Sequence, residues 1–413
     1  MTRGRRSGRA VLAIGVVLVI FVQVFSAMSA DTHAVAWADS EVPDCRPVEV
    51  PVALTEGGGQ DADLAGQVCY PTTKNGALEG AVQVLVSGTA YGRSYWDFPY
   101  QPDTYSYVRA AARAGFTTFN FDRIGIGRST RPLNTQVTIP SNAYTIHQAI
   151  SQLRSGTVDD VRYGKVVIVG HSLGSLIALY EAATYHDVDA VIASGILHTF
   201  DPLGVTKFVA TLYPAALDPR FRGGTIDPGY LTTQPGTRGK SFYYVPETDP
   251  RVIDTDEALK ETATMLEAGG VFQEELPGVL RPLTKPACAL TPPALCGAVA
   301  SSVVYGSTRN IKVPVLQVVG QYDPLLCGGP NDLNRCSDVA AVRQDESAYY
   351  TGLARRCLTV AQVPGSGHNV NLGRNAQNWF ALANEWSRFT LEQSGDDPSC
   401  WSAAGEADGL RFP

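Results

Sequence analysis

The sequence predicts an α/β fold built on a mostly parallel sheet. Short, continuous apolar runs alternate with helical patterns, beginning with a strand at 82–86, a helix at 105–114 and a strand at 116–121. A strand, a helix and another strand in succession predict a parallel crossover. Unbroken apolar runs indicate strands whose two faces are both covered by helices. The alternation continues with helices at 144–154, 173–185 and 376–389 and with strands at 165–169, 190–193 and 314–319.

Composition limits the classes of partner. The chain has 413 residues, of which 44% are hydrophobic and 18% charged, so it has enough apolar side chains for a sizeable core. Its formal net charge of −7 argues against nucleic acid as a partner. The sequence has no phosphate-binding loop, no dinucleotide fingerprint after the first strand and no metal-ligand spacing. We therefore expect a small-molecule substrate, no cofactor and no metal, with the oligomeric state left open.

Residues 1–38 have the pattern of a signal peptide. Four arginines precede an apolar run from Val11 to Val22, and small residues follow. Cleavage is expected between 29 and 38, after Ala27-Met28-Ser29 or Ala36-Trp37-Ala38. An uncleaved anchor is the alternative, but the run is shorter than the roughly 20 residues that span a bilayer. We expect a secreted protein, or one on the exterior of the cell envelope, with no stable membrane span after cleavage.

Eight cysteines follow this segment, and an even number in an exported chain favours disulfides over free thiols. No C-x-x-C pair occurs, and the histidines are not clustered near the cysteines, which disfavours a metal site. Local pairing joins three pairs and leaves a fourth, so the predicted bonds are Cys45/Cys69, Cys288/Cys296, Cys327/Cys336 and Cys357/Cys400.

Residues 198–310 interrupt the alternation of strands and helices. The segment is rich in Pro, Gly and Tyr and has one helical stretch at 256–268. A structureless loop of this length is uncommon in a compact domain, so we predict a cap, with a surface embellishment as the alternative. The predicted organisation is a signal peptide at 1–38, core at 39–197, cap at 198–310, core at 311–393 and a tail at 394–413.

The candidate nucleophile is Ser172, in the pentapeptide GHSLG at 170–174. The pentapeptide follows a predicted strand and precedes a predicted helix. A sharp strand-to-helix turn strains its central residue and leaves room only for small neighbours. It also exposes the hydroxyl above a helix N-terminus, which favours developing negative charge.

A serine hydroxyl needs an adjacent base that is itself oriented by a third group. His368 is the candidate base, because it lies in a Gly-rich loop before a predicted helix. Asp323 is the candidate acid, because it follows the strand at 314–319, and Asp201 is the alternative acid. His147, His186 and His198 are interpreted as structural histidines.

Acyl transfer also needs backbone N–H donors for the developing oxyanion. One donor normally belongs to the residue after the nucleophile, here Leu173. The second is expected after the strand that ends at Val86, where the sequence reads SGTAYG. Thr89 is the predicted second donor and Ala90 is the alternative. An ordinary Gly-containing turn with no catalytic role is the other interpretation of this segment.

With these motifs in order, the chain resembles the α/β-hydrolase superfamily, in the branch of proline iminopeptidases, many esterases and non-haem haloperoxidases. The segment DRIGIGRS at 122–129 is similar to that family's Asp-x-x-Gly-x-Gly-x-Ser turn. The resemblance covers 82–390 apart from the cap, and it implies an α/β-hydrolase sheet with the cap inserted between the sixth and seventh core strands. Ser87-Gly88 stands where most relatives have His-Gly, and Asp323 and His368 are farther apart than usual.

The resemblance implies a serine hydrolase that acylates Ser172 and releases the acyl group to water. A small, moderately apolar carboxylic ester is the expected substrate, with Tyr91 and Trp96 as candidate substrate-binding residues. The alternative is a secreted aminopeptidase of the proline-iminopeptidase kind, whose amine would need an acidic cap residue. A non-catalytic binding protein on the same fold is a further alternative. The candidate amine ligands are Glu247, Asp256 and Glu257, and the cap tyrosines that favour an apolar pocket are Tyr213, Tyr230, Tyr243 and Tyr244.

Overall fold

A computed structural model describes residues 42–73, 76–221, 226–264, 267, 271–272, 304–305, 308–328, 335–393, 399–401 and 410–411. The predicted signal peptide at 1–38 lies outside the described residues, as do most of the tail and a large part of the predicted cap. No helix in the described part of the chain combines the length and the apolar character needed to cross a membrane.

The described strands and helices alternate as predicted for the core. The strands are β1 Cys45–Val52, β2 Ala62–Cys69, β3 Ala81–Val86, β4 Thr117–Phe121, β5 Lys165–His171, β6 Ala190–Ser194, β7 Leu212–Pro214, β8 Tyr230–Thr233, β9 Ala263–Thr264, β10 Val271–Phe272, β11 Val304–Tyr305, β12 Val315–Gly320, β13 Thr359–Val363 and β14 Leu410–Arg411. The α-helices are α1 Pro102–Tyr105, α2 Tyr107–Arg113, α3 Ile139–Ser155, α4 Leu173–Thr184, α5 Pro202–Val209, α6 Arg238–Phe242, α7 Pro250–Leu259, α8 Val339–Ser347, α9 Gly352–Arg356 and α10 Ala376–Glu392.

Nine of the described strands form one sheet in the order β1-β2-β4-β3-β5-β6-β12-β13-β14. Within this sheet, every neighbouring pair from β4 across to β14 is parallel. Strand β2 pairs antiparallel with both β1 and β4. Every residue of β3, β4, β6, β12 and β13 is buried, as expected for strands covered on both faces, although each strand includes at least one buried polar residue. Helix α3 packs against α4, and α2 packs against α10, so helices cover the sheet on both faces. The predicted fold class is confirmed.

The chain segment between β6 and β12 leaves the sheet, as expected for an insertion between the sixth and seventh core strands. Its described part includes α5 to α7 and a small antiparallel sheet of β7, β8 and β9. The predicted helix at 256–268 is wrong in position, because α7 begins at Pro250. Asp249 precedes this helix and accepts a hydrogen bond from the Arg251 N–H, which caps it.

The sheet and the helices differ from the predictions in two further respects. The helix expected at 105–114 is broken at Ser106, whose side chain caps the second part by accepting the N–H of Arg109. Strands β1, β2 and β13 were not predicted. Strands β1 and β2 contain Glu, Pro and Gly residues that weaken a strand pattern, whereas β13 is as long as the predicted strands β4 and β6.

Three of the four predicted disulfides are confirmed, and the fourth, Cys288/Cys296, lies outside the described residues. Cys45 and Cys69 face each other in the register of the β1–β2 hairpin, so their bond closes an antiparallel pair. The other two bonds are Cys327/Cys336 and Cys357/Cys400. Within the described part of the chain no cysteine is free.

Candidate active site

Ser172 lies in the sharp turn between β5 and α4. Its backbone has φ +54° and ψ −122°, a strained conformation for a residue with a side chain. A Cβ at Gly170 would lie 2.5 Å from the Gly174 carbonyl oxygen, and one at Gly174 would lie 2.2 Å from the Val86 oxygen. Both flanking residues must therefore be glycine. Ser172 itself is partly exposed to solvent.

His368 and Asp323 form a buried pair beside this turn. Asp323 follows β12, His368 follows β13, and the histidine Nδ1 lies 2.8 Å from the Asp323 Oδ2. The other aspartate oxygen accepts the N–H groups of Leu325 and Leu326, at 2.8 and 3.2 Å. Among the described residues the His368 Nε2 has no hydrogen-bond partner. An Nδ1–H directed at Asp323 leaves the Nε2 lone pair able to accept a proton.

The serine and histidine loops converge at two glycines. A Cβ at Gly88 would lie 3.1 Å from the Ser172 Cβ, and one at Gly195 would lie 3.3 Å from the His368 Cε1. The rings of His368 and His171, which precedes Ser172, have centroids 5.0 Å apart. The structure therefore brings the predicted nucleophile, base and acid to the carboxyl edge of the sheet. The alternative acid, Asp201, instead caps α5 by accepting the Gly204 N–H at 2.6 Å.

Thr89 and Leu173 both have backbone N–H groups near the Ser172 turn. Leu173 is the first residue of α4, so its N–H has no acceptor within the helix. Neither N–H donates to any acceptor within the part of the chain that the structure describes. The loop carrying Thr89 is closed by the Ser87 hydroxyl, which donates to the Tyr91 carbonyl at 2.8 Å. This bond gives Ser87 a structural role at the position where relatives have His.

Arg123, a residue that sequence reasoning missed, fixes the direction of the peptides in this loop. Its side chain is fully buried, donates to the Ser87 oxygen at 2.8 Å and to the Gly88 oxygen at 3.2 Å, and pairs with Glu267. The Gly88 C=O and the Thr89 N–H belong to one trans peptide, so they point in opposite directions. The Thr89 N–H must therefore point away from Arg123. An arginine within the motif at 122–129 was the available sequence signal.

A second buried network joins the insertion to the residues next to the triad. Arg238 and Asp256 form a two-bond ion pair, with both N–O distances at 2.9 Å. The Tyr91 hydroxyl donates to Asp256 at 2.9 Å and accepts from the Asn369 amide at 2.5 Å. The Asn369 oxygen in turn lies 3.2 Å from the His171 Nε2. Sequence reasoning missed Arg238 and Asn369, although Asn369 directly follows the predicted base.

His171 is buried between this network and the triad. Its ring stacks on Tyr95, with centroids 4.2 Å apart and planes 13° apart. Burial, and after it the proximity of His368, lowers the pKa of His171 well below its ordinary value. His171 therefore stays neutral near neutral pH and adds no charge beside the candidate base.

The predicted substrate-binding residues are both buried. Tyr91 lies beside His171, with ring centroids 6.2 Å apart, but its hydroxyl is engaged by Asp256 and Asn369. Trp96 is fully buried and packs its ring edge-on against Tyr95 and Tyr107, so packing accounts for its position. The cap tyrosines are also engaged, by Asp218 for Tyr213, the Pro132 carbonyl for Tyr230, Asp256 for Tyr243 and the Tyr322 ring for Tyr244.

The insertion contacts the histidine loop directly. A Cβ at Gly367 would lie 2.5 Å from the Tyr244 nitrogen, and the Asn369 N–H donates to the Phe242 carbonyl at 3.0 Å. The Phe242 ring lies over His368, with centroids 5.8 Å apart and planes 26° apart. The insertion therefore supplies an apolar wall to the candidate base and shields it from water.

A concave region of about 620 Å³ lies away from the triad. Its lining is polar and basic, from α8 and α9, and includes Arg343, Arg355 and Arg356. Substrate pockets are usually apolar with a few convergent polar groups. The candidate active site is therefore the region of Ser172, His368 and Asp323 and not this concave region.

The fold and the arrangement of Ser172, His368 and Asp323 define the class of α/β hydrolases. A model of the alpha/beta hydrolase family matches residues 83–381, and the chain belongs to this family. No curated protein matches the sequence.

Solved structures with a similar fold include the esterase domain of a Rhodothermus marinus protein, which is 15% identical with a TM-score of 0.43 over 84% of this chain and 98% of that one. A Pyrococcus furiosus esterase is 12% identical with a TM-score of 0.44, over 83% and 90% of the two chains. A soluble variant of monoglyceride lipase from Saccharomyces cerevisiae is 15% identical with a TM-score of 0.46, over 82% and 95%.

Proposed function

We propose that this α/β hydrolase is a secreted serine hydrolase that cleaves a small, moderately apolar carboxylic ester. The observation that carries the proposal is the strained Ser172, next to a buried His368–Asp323 pair whose Nε2 has no partner among the described residues. Two backbone N–H groups without acceptors in the described chain, at Thr89 and Leu173, supply the candidate oxyanion donors.

In the proposed mechanism, the His368 Nε2 accepts the proton of the Ser172 hydroxyl as its oxygen attacks the ester carbonyl. Asp323 holds the ring through Nδ1 and stabilises the imidazolium. The Thr89 and Leu173 N–H groups bind the oxyanion, and the protonated His368 then donates to the leaving alcohol. Water, activated by the same nitrogen, releases the acid from the acyl-enzyme.

Labelling with a fluorophosphonate tests the nucleophile. Wild type is expected to be labelled once per chain, and Ser172→Ala is expected to lose both the label and ester hydrolysis. Ser151→Ala, which changes an exposed serine on α3, is the matched control and should retain both. Unchanged labelling of Ser172→Ala would reject Ser172 as the nucleophile and with it the proposed mechanism. A wild-type chain that takes no label would favour a binding protein on the same fold.

The substrate class is tested with p-nitrophenyl esters of increasing acyl length against amino-acid p-nitroanilides. We expect turnover of the esters to exceed that of the anilides, and the reverse result would favour the aminopeptidase. Of that alternative's candidate amine ligands, Asp256 is paired with Arg238, and Glu257 accepts the Arg238 N–H at 3.0 Å. Glu247 is exposed.

The disulfides support the secreted part of the proposal, because such bonds persist in oxidising compartments. Expression of the full chain with a C-terminal tag tests it. We expect the tagged protein outside the cytoplasm, with a new N-terminus produced by cleavage between residues 29 and 38. An intact N-terminus on membrane-bound protein would favour the anchor.

A further inference from the structure

Three potential metal ligands meet at the end of α4 that is remote from Ser172. His147 lies on α3, Glu181 on the last turns of α4, and Asp187 in the connection to β6. One ligand atom from each lies within 4.8 Å of the others. The three residues come from different elements, so the fold rather than local sequence assembles them.

Glu181 is the unusual member of this cluster. Its side chain is fully buried, and both carboxylate oxygens are without a hydrogen-bond partner among the described residues. The buried Asp187 Oδ1 also has no partner there, whereas its Oδ2 lies 2.7 Å from the His147 Nδ1. A buried carboxylate without donors is costly, so either a proton or a cation must compensate the charge.

The nearby cation does not reach the cluster's free oxygens. Arg154 directs its guanidinium at the Asp187 main-chain oxygen, at 2.7 Å, and at the Asp189 carboxylate, at 3.0 Å. Burial, and after it the neighbouring Asp187, raises the pKa of Glu181 well above its ordinary value. Burial opposes ionisation of Asp187, but the hydrogen bond from His147 outweighs it and the pKa of Asp187 is lowered. Both directions describe the cluster without a metal.

We propose that His147, Glu181 and Asp187 bind a divalent metal ion of the zinc type. One imidazole and two carboxylates suit zinc, which binds such ligands at about 2.0–2.2 Å with water completing the site. Calcium prefers ligand sets made only of oxygen atoms. Two ligand atoms of one tetrahedral zinc ion lie about 3.3–3.6 Å apart. Closing the 4.8 Å spread therefore takes combined side-chain shifts of up to about 1.5 Å.

The proposed ion would lie away from the triad. Its ligands would join α3, the last turns of α4 and the connection to β6, whereas Ser172 precedes the opposite end of α4. The ion would compensate the buried carboxylate charge that a proton must otherwise compensate. This inference differs from the sequence-based expectation of no metal, because the three residues have no recognisable ligand spacing in the chain.

Titration of untagged, EDTA-treated protein with zinc chloride tests the proposal. We expect one ion bound per chain and, at a hundredfold excess over Kd, a Tm about 3–4 °C higher, reversed by EDTA. Glu181→Gln imitates a protonated Glu181, so it should fold without metal and lose the zinc response. His147→Gln should weaken it at least tenfold. The matched control His186→Asn changes an exposed histidine outside the cluster and should respond as wild type does.

Absence of zinc binding, or equal binding by wild type and Glu181→Gln, would overturn the proposal.

Discussion

Arg123 and Arg238 are both fully buried, both pair with a carboxylate, and both donate to carbonyl oxygens of the loop after β3. They differ in which peptides they hold, because the Gly88 carbonyl, which also accepts the Tyr91 N–H at 3.3 Å, belongs to a peptide with a proposed oxyanion donor and the Ala90 carbonyl does not. Arg123 reaches the Ser87 and Gly88 carbonyls, the second of which belongs to the peptide that presents the Thr89 N–H. Arg238 reaches the Ala90 carbonyl at 3.3 Å, which the Glu261 N–H already binds at 2.9 Å.

The difference separates two uses of a buried ion pair. Such pairs add little net stability compared with an apolar replacement, but removal of one partner costs about 3–5 kcal/mol because the other charge is left buried. Both arginines should therefore matter for folding. We expect only Arg123 to matter strongly for turnover, because it alone orients a proposed oxyanion donor.

The largest effect is expected for Arg123→Met. The unfolding free energy should fall by about 3–5 kcal/mol, since Glu267 is left uncompensated. The kcat for a p-nitrophenyl ester should fall by up to about a hundredfold, since the carbonyl of the peptide that presents the Thr89 N–H then keeps only the Tyr91 N–H, at 3.3 Å. Urea denaturation and kcat per fluorophosphonate-labelled site measure the two effects.

A conservative variant keeps this prediction testable if Arg123→Met does not fold. Arg123→Lys retains the charge beside Glu267 but cannot reproduce the planar set of donors that serves two carbonyls. Its kcat should fall about tenfold or more with KM nearly unchanged, the pattern for an interaction used only in the transition state. A kcat equal to wild type would refute the orienting role of Arg123.

Arg238→Met should produce a similar loss of stability and a smaller loss of activity. Asp256 loses both of its bonds to Arg238, so about 3–5 kcal/mol should again be lost. The Ala90 carbonyl keeps the Glu261 N–H and belongs to a peptide that presents no proposed oxyanion donor, so kcat per labelled site should fall less than about tenfold, against about a hundredfold for loss of an oxyanion donor. Equal kcat losses for the two arginine variants would remove the distinction between them.

Tyr91→Phe tests the connection between the second ion pair and the triad. The hydroxyl lost here bridges Asp256 and Asn369, so we expect a cost of about 1–3 kcal/mol. The ring remains beside His171, and kcat should change only a few-fold. A large fall in kcat would show that the insertion orients the proposed base, His368, through Asn369.

The smallest effect is expected for Thr233→Val, which removes one long hydrogen bond of 3.3 Å from Arg238. The side chain is buried and nearly the same shape, so the cost should be about 0.5–1.5 kcal/mol. The kcat should equal that of wild type. A cost comparable to that of Arg238→Met would mean that Thr233, rather than Asp256, holds the arginine in place.

Local sequence was sufficient to predict most of the core. The strands at β3, β5 and β12 were predictable because each is a mostly apolar run between turn residues. Strand β13, which has one interior Gln as β3 and β12 do, was equally predictable. The helix at α7 was misplaced because the pattern was read without Asp249 and Pro250 as its start.

The sequence by itself determined the family, the central sheet and the residues proposed as nucleophile, base and acid. These properties depend on short motifs whose chemistry is local: a glycine-flanked serine after a strand, and an acid and a histidine after two later strands. The same locality holds for two of the three confirmed disulfides, Cys45/Cys69 and Cys327/Cys336. The third, Cys357/Cys400, joins the cysteines that local pairing leaves over.

Only the tertiary structure decided which polar groups contact each other when they are far apart in the sequence. Arg123 pairs with Glu267 across 144 residues, and Tyr91 meets Asn369 across 278. Glu181 gives no sign in the sequence that both of its oxygens are buried without donors. Such contacts depend on how helices and the insertion pack on the sheet. Burial then sets the energetic cost of each polar group. Neither the packing nor the burial is encoded in local spacing.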